Sequence, residues 1–243
     1  MKFTKMQGCG NDFVVVAGPT ELSADQVREI CDRRRGIGAD GILVIGAAQG
    51  RSWPVMIHNA DGSLGESCGN GARCVARYLL DHHGGEALDL AFPGGTVTAR
   101  RDDAGIAVTF AAPPSPQPVA LSGTRAYRVS FGNPHVVLFV VDPAKADLAA
   151  LATAARAAVG PANVEVARIA ANDLVLLRVD ERGVGETLAC GTGACATVAA
   201  AACEQRMAER VTVRVPGGDL YVRAGSRTYE LAGPADYVFE GAT

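Results

Sequence analysis

The feature that most constrains this chain is a pattern written twice at a fixed interval. Gly10-Asn11 returns as Gly132-Asn133, Gly38 as Gly160, and Cys68-Gly69 as Cys190-Gly191, each pair 122 positions apart. Pro93-Gly94-Gly95 returns as Pro216-Gly217-Gly218 at an offset of 123. Four markers with nearly one offset predict a duplicated domain. The 243 residues are enough for two domains of ordinary size. Two similar domains packed about a pseudo-twofold axis would set equivalent loops face to face across a cleft, a common place for a small-molecule site.

The best-preserved marker is Ser67-Cys68-Gly69-Asn70-Gly71-Ala72-Arg73-Cys74, echoed by Ala189-Cys190-Gly191-Thr192-Gly193-Ala194-Cys195. Each copy runs into an apolar segment of helical character, so each reads as a glycine loop opening a helix with a cysteine at its mouth. The first amides of a helix have no internal partner and the dipole is positive there. A thiol at that place is expected to ionise more easily. The glycines let a small carboxylate approach the same amides.

Around these markers the pattern is one of mixed α and β elements. In the first half, strands are predicted at Phe13–Ala17, Ile42–Ile45 and Val55–His58, with a helix from the N-cap Ser23 through Arg33 and another from the Cys68 motif to about His82. The second half repeats this order, with strands at Val136–Val141, Val164–Ile169 and Val175–Val179 and a helix after Cys190. Ala112-Pro113-Pro114-Ser115-Pro116-Gln117-Pro118 is too rich in proline for a sheet interior and reads as a stiff linker. The division expected is residues 1–112, a linker region 113–126, and residues 127–243.

Several function classes are excluded on composition. The net charge is −3 and no basic run suggests a nucleic-acid partner. No apolar run approaches a bilayer span, and the N-terminal stretch lacks the apolar core of a signal peptide. Seven cysteines, an odd number without an export signal, fit reduced thiols in a cytoplasm. Lysine occurs only at positions 2, 5 and 145, none well placed for a pyridoxal Schiff base, so no cofactor is expected. A zinc site is disfavoured by the Cys68–Cys74 and Cys190–Cys195 spacings, and no metal is expected. Cys9, Cys31, Cys74, Cys195 and Cys203 read as small buried residues, and His58, His82 and His83 as surface or structural groups.

Two equivalent thiols facing one ligand place an acid–base group on each side of it, which is what inverting a carbon stereocentre without redox chemistry requires. Gly69, Asn70, Gly71, Gly191, Thr192 and Gly193 would offer donors to the developing charge. His135 and Glu181, on nearby loops, would hold one sulfur charged and the other protonated. Inversion of an amino-acid stereocentre, whether by epimerisation or racemisation, and a binding or redox role without turnover remain in view.

Gly8-Cys9-Gly10-Asn11-Asp12-Phe13, Asn59-Ala60-Asp61-Gly62-Ser63, Cys68-Gly69-Asn70-Gly71-Ala72-Arg73, Gly132-Asn133-Pro134-His135, Glu181-Arg182-Gly183-Val184-Gly185-Glu186-Thr187 and Ala189-Cys190-Gly191-Thr192-Gly193-Ala194 resemble, in order and over nearly the whole length, the motifs of the diaminopimelate epimerases, a cofactor-independent epimerase family. The resemblance implies two pseudo-symmetric α+β domains, each a mixed sheet or barrel wrapped around a central helix. It implies interconversion of LL- and meso-diaminopimelate for lysine and peptidoglycan precursors by a cytoplasmic homodimer. It makes Cys68 and Cys190 the two bases, and His135 and Glu181 the groups that tune them. Asn11, Asn59, Asn133, Asn163 and Arg182 become substrate ligands, joined by Glu181 and by Gly69-Asn70 and Gly191-Thr192 at the reacting carboxylate. Gly41 stands where many members of that family have glutamine.

Overall fold

The computed structural model describes residues 1–66, 68–121 and 123–243. Ser67, the first residue of the quoted cysteine motif, and Ser122 lie outside the described residues. The chain forms two compact units, Met1–Val108 with Gly233–Thr243, and Thr109–Ala232.

The first unit opens with β1 (Lys2–Gly8) and β2 (Asn11–Ala17), an antiparallel hairpin. Its two-residue turn has Cys9 at φ 53° and Gly10 at φ 79°, the left-handed pair that matches the twist of a tight hairpin. The turn makes Asn11 the first residue of β2. Helix α1 (Ala24–Cys31) starts at a capping box in which Ser23 and Gln26 satisfy each other's backbone amides. Next come β3 (Gly41–Ile45), parallel to β2, then β4 (Ser52–Asn59) and β5 (Leu64–Gly65), each antiparallel to its predecessor. All five residues of β3 are buried, as a strand covered on both faces requires. Helix α2 (Gly69–His83) packs against β1, β2 and β3. The strands β6 (Ala87–Phe92), parallel to β4, and β7 (Gly95–Asp102) also contact it. Every residue of α2 from Gly69 to Ala76 is buried, so it is the core of its unit. β8 (Gly105–Ala111) carries the chain out of the unit.

The second unit contains β9 (Gln117–Leu121), β10 (Thr124–Ser130), β11 (Pro134–Phe139), α3 (Leu148–Val159), β12 (Asn163–Ala171), β13 (Leu174–Glu181), β14 (Gly185–Thr187), α4 (Gly191–Glu204), β15 (Arg210–Val215), β16 (Gly218–Ala224) and β17 (Thr228–Gly233). The pairings repeat those of the first unit. β10 and β11 are antiparallel, β11 and β12 parallel, β12 and β13 antiparallel, β13 and β15 parallel, and β15 and β16 antiparallel. Helix α4 takes the place of α2, buried continuously from Gly191 to Ala201 and contacting β10 to β13, β15 and β16. Its alanines let strands approach on every side. Each unit is thus a mixed sheet around a central helix. The last strand, β18 (Asp236–Ala242), pairs antiparallel with β1 and belongs to the first unit.

Three expectations differ from the structure. The proline-rich stretch lies inside the second unit, where β9 pairs with β10 and Pro118 stands opposite Tyr127. A proline lacks the donor an inner strand needs but is tolerated at a sheet edge. Helix α1 stops at Cys31 and not Arg33, because the Asp32 carboxylate accepts the amides of Arg34 and Arg35 and turns the chain. Cys203 is exposed, in the last turn of α4, whereas Cys9, Cys31, Cys74 and Cys195 are buried. No helix among the described residues is long and apolar enough to cross a membrane.

Candidate active site

Each unit presents one cysteine at the N-terminus of its central helix. Cys68 is the N-cap of α2 and its sulfur accepts the Gly71 amide at 3.4 Å. Cys190 is the N-cap of α4 and accepts the Gly193 amide, also at 3.4 Å. Sulfur is here a capping acceptor for an otherwise orphaned amide. Cys68 is partly exposed, while Cys190 is 6 % exposed.

Beside Cys68 stand the amide side chains of Asn11 and Asn70. Its thiol donates to Asn11 Oδ1 at 3.8 Å, and Asn70 Nδ2 donates to the same oxygen at 3.2 Å. Asn11 Nδ2 in turn donates to Asp40 Oδ2 at 2.7 Å, and Asp40 pairs with Arg33. Asn59 ends β4 and donates to Ser63 Oγ at 3.0 Å. A Cβ at Gly41 would lie 2.6 Å from the His58 carbonyl oxygen, so this backbone has no room for a side chain there. Lys5 is engaged in a buried pair with Asp12 and donates to the Gly38 carbonyl.

Around Cys190 the same scaffold carries charge. Cys190 Sγ lies 3.6 Å from Thr192 Oγ1, and Asn133 Nδ2 donates to that hydroxyl at 3.5 Å. Asn133 Oδ1 lies 3.1 Å from His135 Nε2, and His135 Nδ1 lies 2.7 Å from Glu165 Oε1. The His135 and Glu165 side chains are both 0 % exposed. Glu181, at the end of β13, accepts the Thr187 hydroxyl at 2.6 Å. Asn163 Oδ1 accepts the Arg182 amide at 2.9 Å, fixing the start of the β13–β14 turn, while the Arg182 side chain is exposed. The second unit therefore brings together Cys190, Thr192, Asn133 and His135. Asn163 and Arg182 form a separate pair beside them.

The electrostatics at Cys190 run against the expectation for a thiol at a helix N-terminus. Burial pushes its pKa well above the ordinary thiol value, and the carboxylates of Glu181 and Glu165 push the same way. The Thr192 hydroxyl and Gly193 amide oppose this and lose. Desolvation wins because the sulfur sits inside a unit whose helix is enclosed by strands. Cys74 and Cys195 are wholly buried, and burial raises Cys74 to about 12.

Glu165 is the residue that sequence reasoning missed. It lies in Val164-Glu165-Val166, where alternation marks it as an outward-facing strand residue. The duplication carried the signal, since Leu43 stands 122 positions earlier. The register agrees: Val15 pairs with Leu43 in β2–β3, and Val137 with Glu165 in β11–β12. Arg73 was quoted only as part of a motif. It is 0 % exposed, and its Nε donates to the Pro234 carbonyl at 3.2 Å, tying α2 to the segment before β18. Among the described residues no three His, Cys, Asp or Glu side chains gather to hold a metal ion.

Comparison with known proteins agrees with this arrangement. The diaminopimelate epimerase family model matches residues 3–113 and again 127–237. A diaminopimelate epimerase of Alkalilimnicola ehrlichii is 39 % identical over 280 aligned positions, covering 99 % of this chain and 98 % of that protein. One from Synechococcus sp. (strain JA-2-3B'a(2-13)) is 36 % identical, covering 100 % and 98 %. Among solved structures, a Bacillus anthracis protein of the phenazine biosynthesis PhzF family superposes with a TM-score of 0.77 at 14 % identity, covering 100 % of this chain and 99 % of that one. A hydroxyproline epimerase from Agrobacterium vitis gives 0.67 at 16 %, covering 99 % and 90 %. At that identity the two structures speak for the fold alone. With both of its halves matched by one family's model and its full length by that family's members, the chain belongs to the diaminopimelate epimerase family.

Proposed function

We propose that this protein is an isomerase that interconverts LL- and meso-diaminopimelate, with Cys68 and Cys190 as the two acid–base groups and no cofactor. The observation that carries the reading is one thiol at the N-terminus of the central helix in each half of a full-length family member. One thiolate takes the proton from the substrate carbon and the other thiol returns a proton to the opposite face. The amides at the two helix starts, with Gly69, Asn70, Gly191 and Thr192, meet the charge that develops on the reacting carboxylate. The raised affinity of Cys190 for its proton suits it to rest as the thiol and Cys68 to rest as the base. His135 and Glu181 tune that pair. Asn11, Asn59, Asn133, Asn163 and Arg182 hold the substrate, Arg182 at the carboxylate that does not react. On the same reading the enzyme is a cytoplasmic homodimer supplying lysine and cell-wall precursors.

The test is incubation of pure protein with LL-diaminopimelate, without added cofactor, followed by chiral chromatography. Run in heavy water, the product of inverted configuration should carry deuterium from the first turnover while recovered substrate stays protiated. Early labelling of both would mean a single base. A panel of other amino acids checks the substrate, and turnover of one of them in place of diaminopimelate would overturn its assignment.

A further inference from the structure

The buried carboxylate behind His135 has no place in the reading above. Glu165 Oε1 is bonded to His135 Nδ1 at 2.7 Å, and Oε2 has no hydrogen-bond partner among the described residues. A buried charged group with half its acceptors unused is costly, so its retention calls for a use. From His135 a chain of contacts runs to the sulfur: Nε2 to Asn133 Oδ1 at 3.1 Å, Asn133 Nδ2 to Thr192 Oγ1 at 3.5 Å, and Thr192 Oγ1 to Cys190 Sγ at 3.6 Å.

The chemistry of each link limits the proton arrangements. An ionised carboxylate only accepts, so Nδ1 carries a hydrogen. With Asn133 Oδ1 turned to Nε2, that nitrogen must carry one as well. Asn133 Nδ2 then donates to Thr192, whose hydroxyl hydrogen is free to point at a thiolate. If the amide is reversed, Nε2 accepts from Asn133 Nδ2, Thr192 donates to Asn133 Oδ1, and the sulfur must bring its own hydrogen to Thr192. Both arrangements satisfy every link and contain the same number of protons. They differ in whether His135 or Cys190 holds one of them.

We propose that Glu165 is a positioning residue that fixes His135 with Nδ1 protonated, so that the His135–Asn133–Thr192 chain has two matched settings, one for the Cys190 thiolate and one for the thiol. This rests on the reading that Cys190 exchanges a proton with the substrate. The charged and titratable groups facing the chain are Glu165 from β12, Glu181 from β13 and Cys190 from α4. Passing the sulfur's proton along the chain to His135 Nε2 gives the thiolate setting, in which Cys190 can take a proton from the substrate, and the reverse transfer gives the thiol setting, in which it can give one; Glu165 stabilises the imidazolium of the first. The first unit has no such device, with Phe13 and Leu43 at the positions of His135 and Glu165.

The test pairs nitrogen-15 NMR of histidine-labelled protein with kinetics. In the wild type, His135 should show a protonated, hydrogen-bonded Nδ1. Glu165→Gln should change the His135 Nδ1 signal and lower kcat/KM for diaminopimelate on the order of 10- to 100-fold. Glu165→Asp, which keeps the charge, should recover part of both. An Nδ1 without hydrogen in the wild type overturns the proposal, and this decides the matter even if Glu165→Gln fails to fold. So does a Glu165→Gln variant in which only the His135 signals or only kcat/KM changes. Wild-type protein inactive on diaminopimelate sinks the proposed function instead, and the NMR result still judges the Glu165–His135 link.

Discussion

Replacing Gly193 with alanine separates the two halves of the molecule experimentally. Gly193 is the third residue of α4, and a Cβ there would lie 2.6 Å from Glu165 Oε1, 3.2 Å from Cys190 Cβ and 3.3 Å from its sulfur. Ordinary contact begins at 3.4 Å, so the carboxylate oxygen must retreat by about 0.8 Å. That oxygen is the one bonded to His135 at 2.7 Å inside a fully buried pair. Loss of a charge-assisted hydrogen bond costs about 1.5–3 kcal/mol. Crowding Cys190 adds about 1 kcal/mol, and the better helix propensity of alanine returns about 1 kcal/mol. The net expectation is a loss of about 2 kcal/mol. Gly71 is the internal control, because a Cβ there meets the Leu43 methyl groups at 3.1 and 3.3 Å, which can rotate aside, and Cys68 Cβ at an ordinary 3.5 Å. Gly71→Ala should change stability by less than about 1 kcal/mol in either direction. Urea denaturation of both variants at neutral pH measures the difference. Adding Glu165→Ala should remove most of the Gly193→Ala penalty, as a double-mutant cycle would show. Equal stability of the two single variants would refute the reasoning, since both lie at the same helical position and differ only in what they face.

Cys68→Ala and Cys190→Ala should each abolish epimerisation by chiral assay while the fold persists, each losing about 1 kcal/mol with its cap. Asp12 offers a pH test in the first unit: burial raises its carboxyl, but hydrogen bonds and charge from Arg33 and Lys5 win and hold it at about 2. A carboxyl lowered in the folded state stabilises above its unfolded value and ceases to as pH falls, so unfolding free energy should drop by about 2 kcal/mol between pH 4 and pH 2. Asp12→Asn should flatten that part of the curve, and an unchanged slope would refute the assignment. Arg182→Ala should cost on the order of 2–4 kcal/mol in kcat/KM for diaminopimelate, leaving the fold intact. Normal turnover by that variant would free Arg182 of its proposed role.

Much of this architecture was legible because duplication is a long-range signal written in plain sequence. The constant offset predicted two equivalent units, and the Cys-Gly-x-Gly echo predicted the cysteine N-caps of α2 and α4. Ser23 was readable as a cap because the capping box is local. What failed was what depends on tertiary partners. Nothing local says that Asp236–Ala242 pairs with β1, or that Gln117–Leu121 joins β10. That burial outweighs the helix N-terminus at Cys190 was not legible, because a helix N-terminus is visible in sequence and the depth of its burial is not. Glu165 was passed over because strand alternation counts polar residues as solvent-facing, a rule that breaks where a strand is buried on both sides.

Several departures from symmetry cluster around the second sulfur. Between the units, Asn11 corresponds to Asn133 and Asn70 to Thr192, so the links beside each sulfur are alike. Phe13 corresponds to His135, Leu43 to Glu165, and Asn59 to Glu181, and every charged or titratable member of these pairs is in the second unit. Two thiols of common origin in like surroundings would hold their protons equally. A pair that must start a reaction as one thiolate and one thiol requires the surroundings to differ by about the worth of a charge. A single carboxylate would supply that difference but bind the proton in one state only. A carboxylate joined to an imidazole supplies it reversibly, because the imidazole can hold the proton that the sulfur passes along the chain and hand it back. This predicts a graded outcome on making the second unit resemble the first. Glu165→Leu alone should strand His135 and impair turnover, whereas Glu165→Leu with His135→Phe should restore packing and stability toward wild type yet leave activity low. If the double variant turned over diaminopimelate normally, the charge asymmetry would be incidental and the duplication alone would suffice for catalysis.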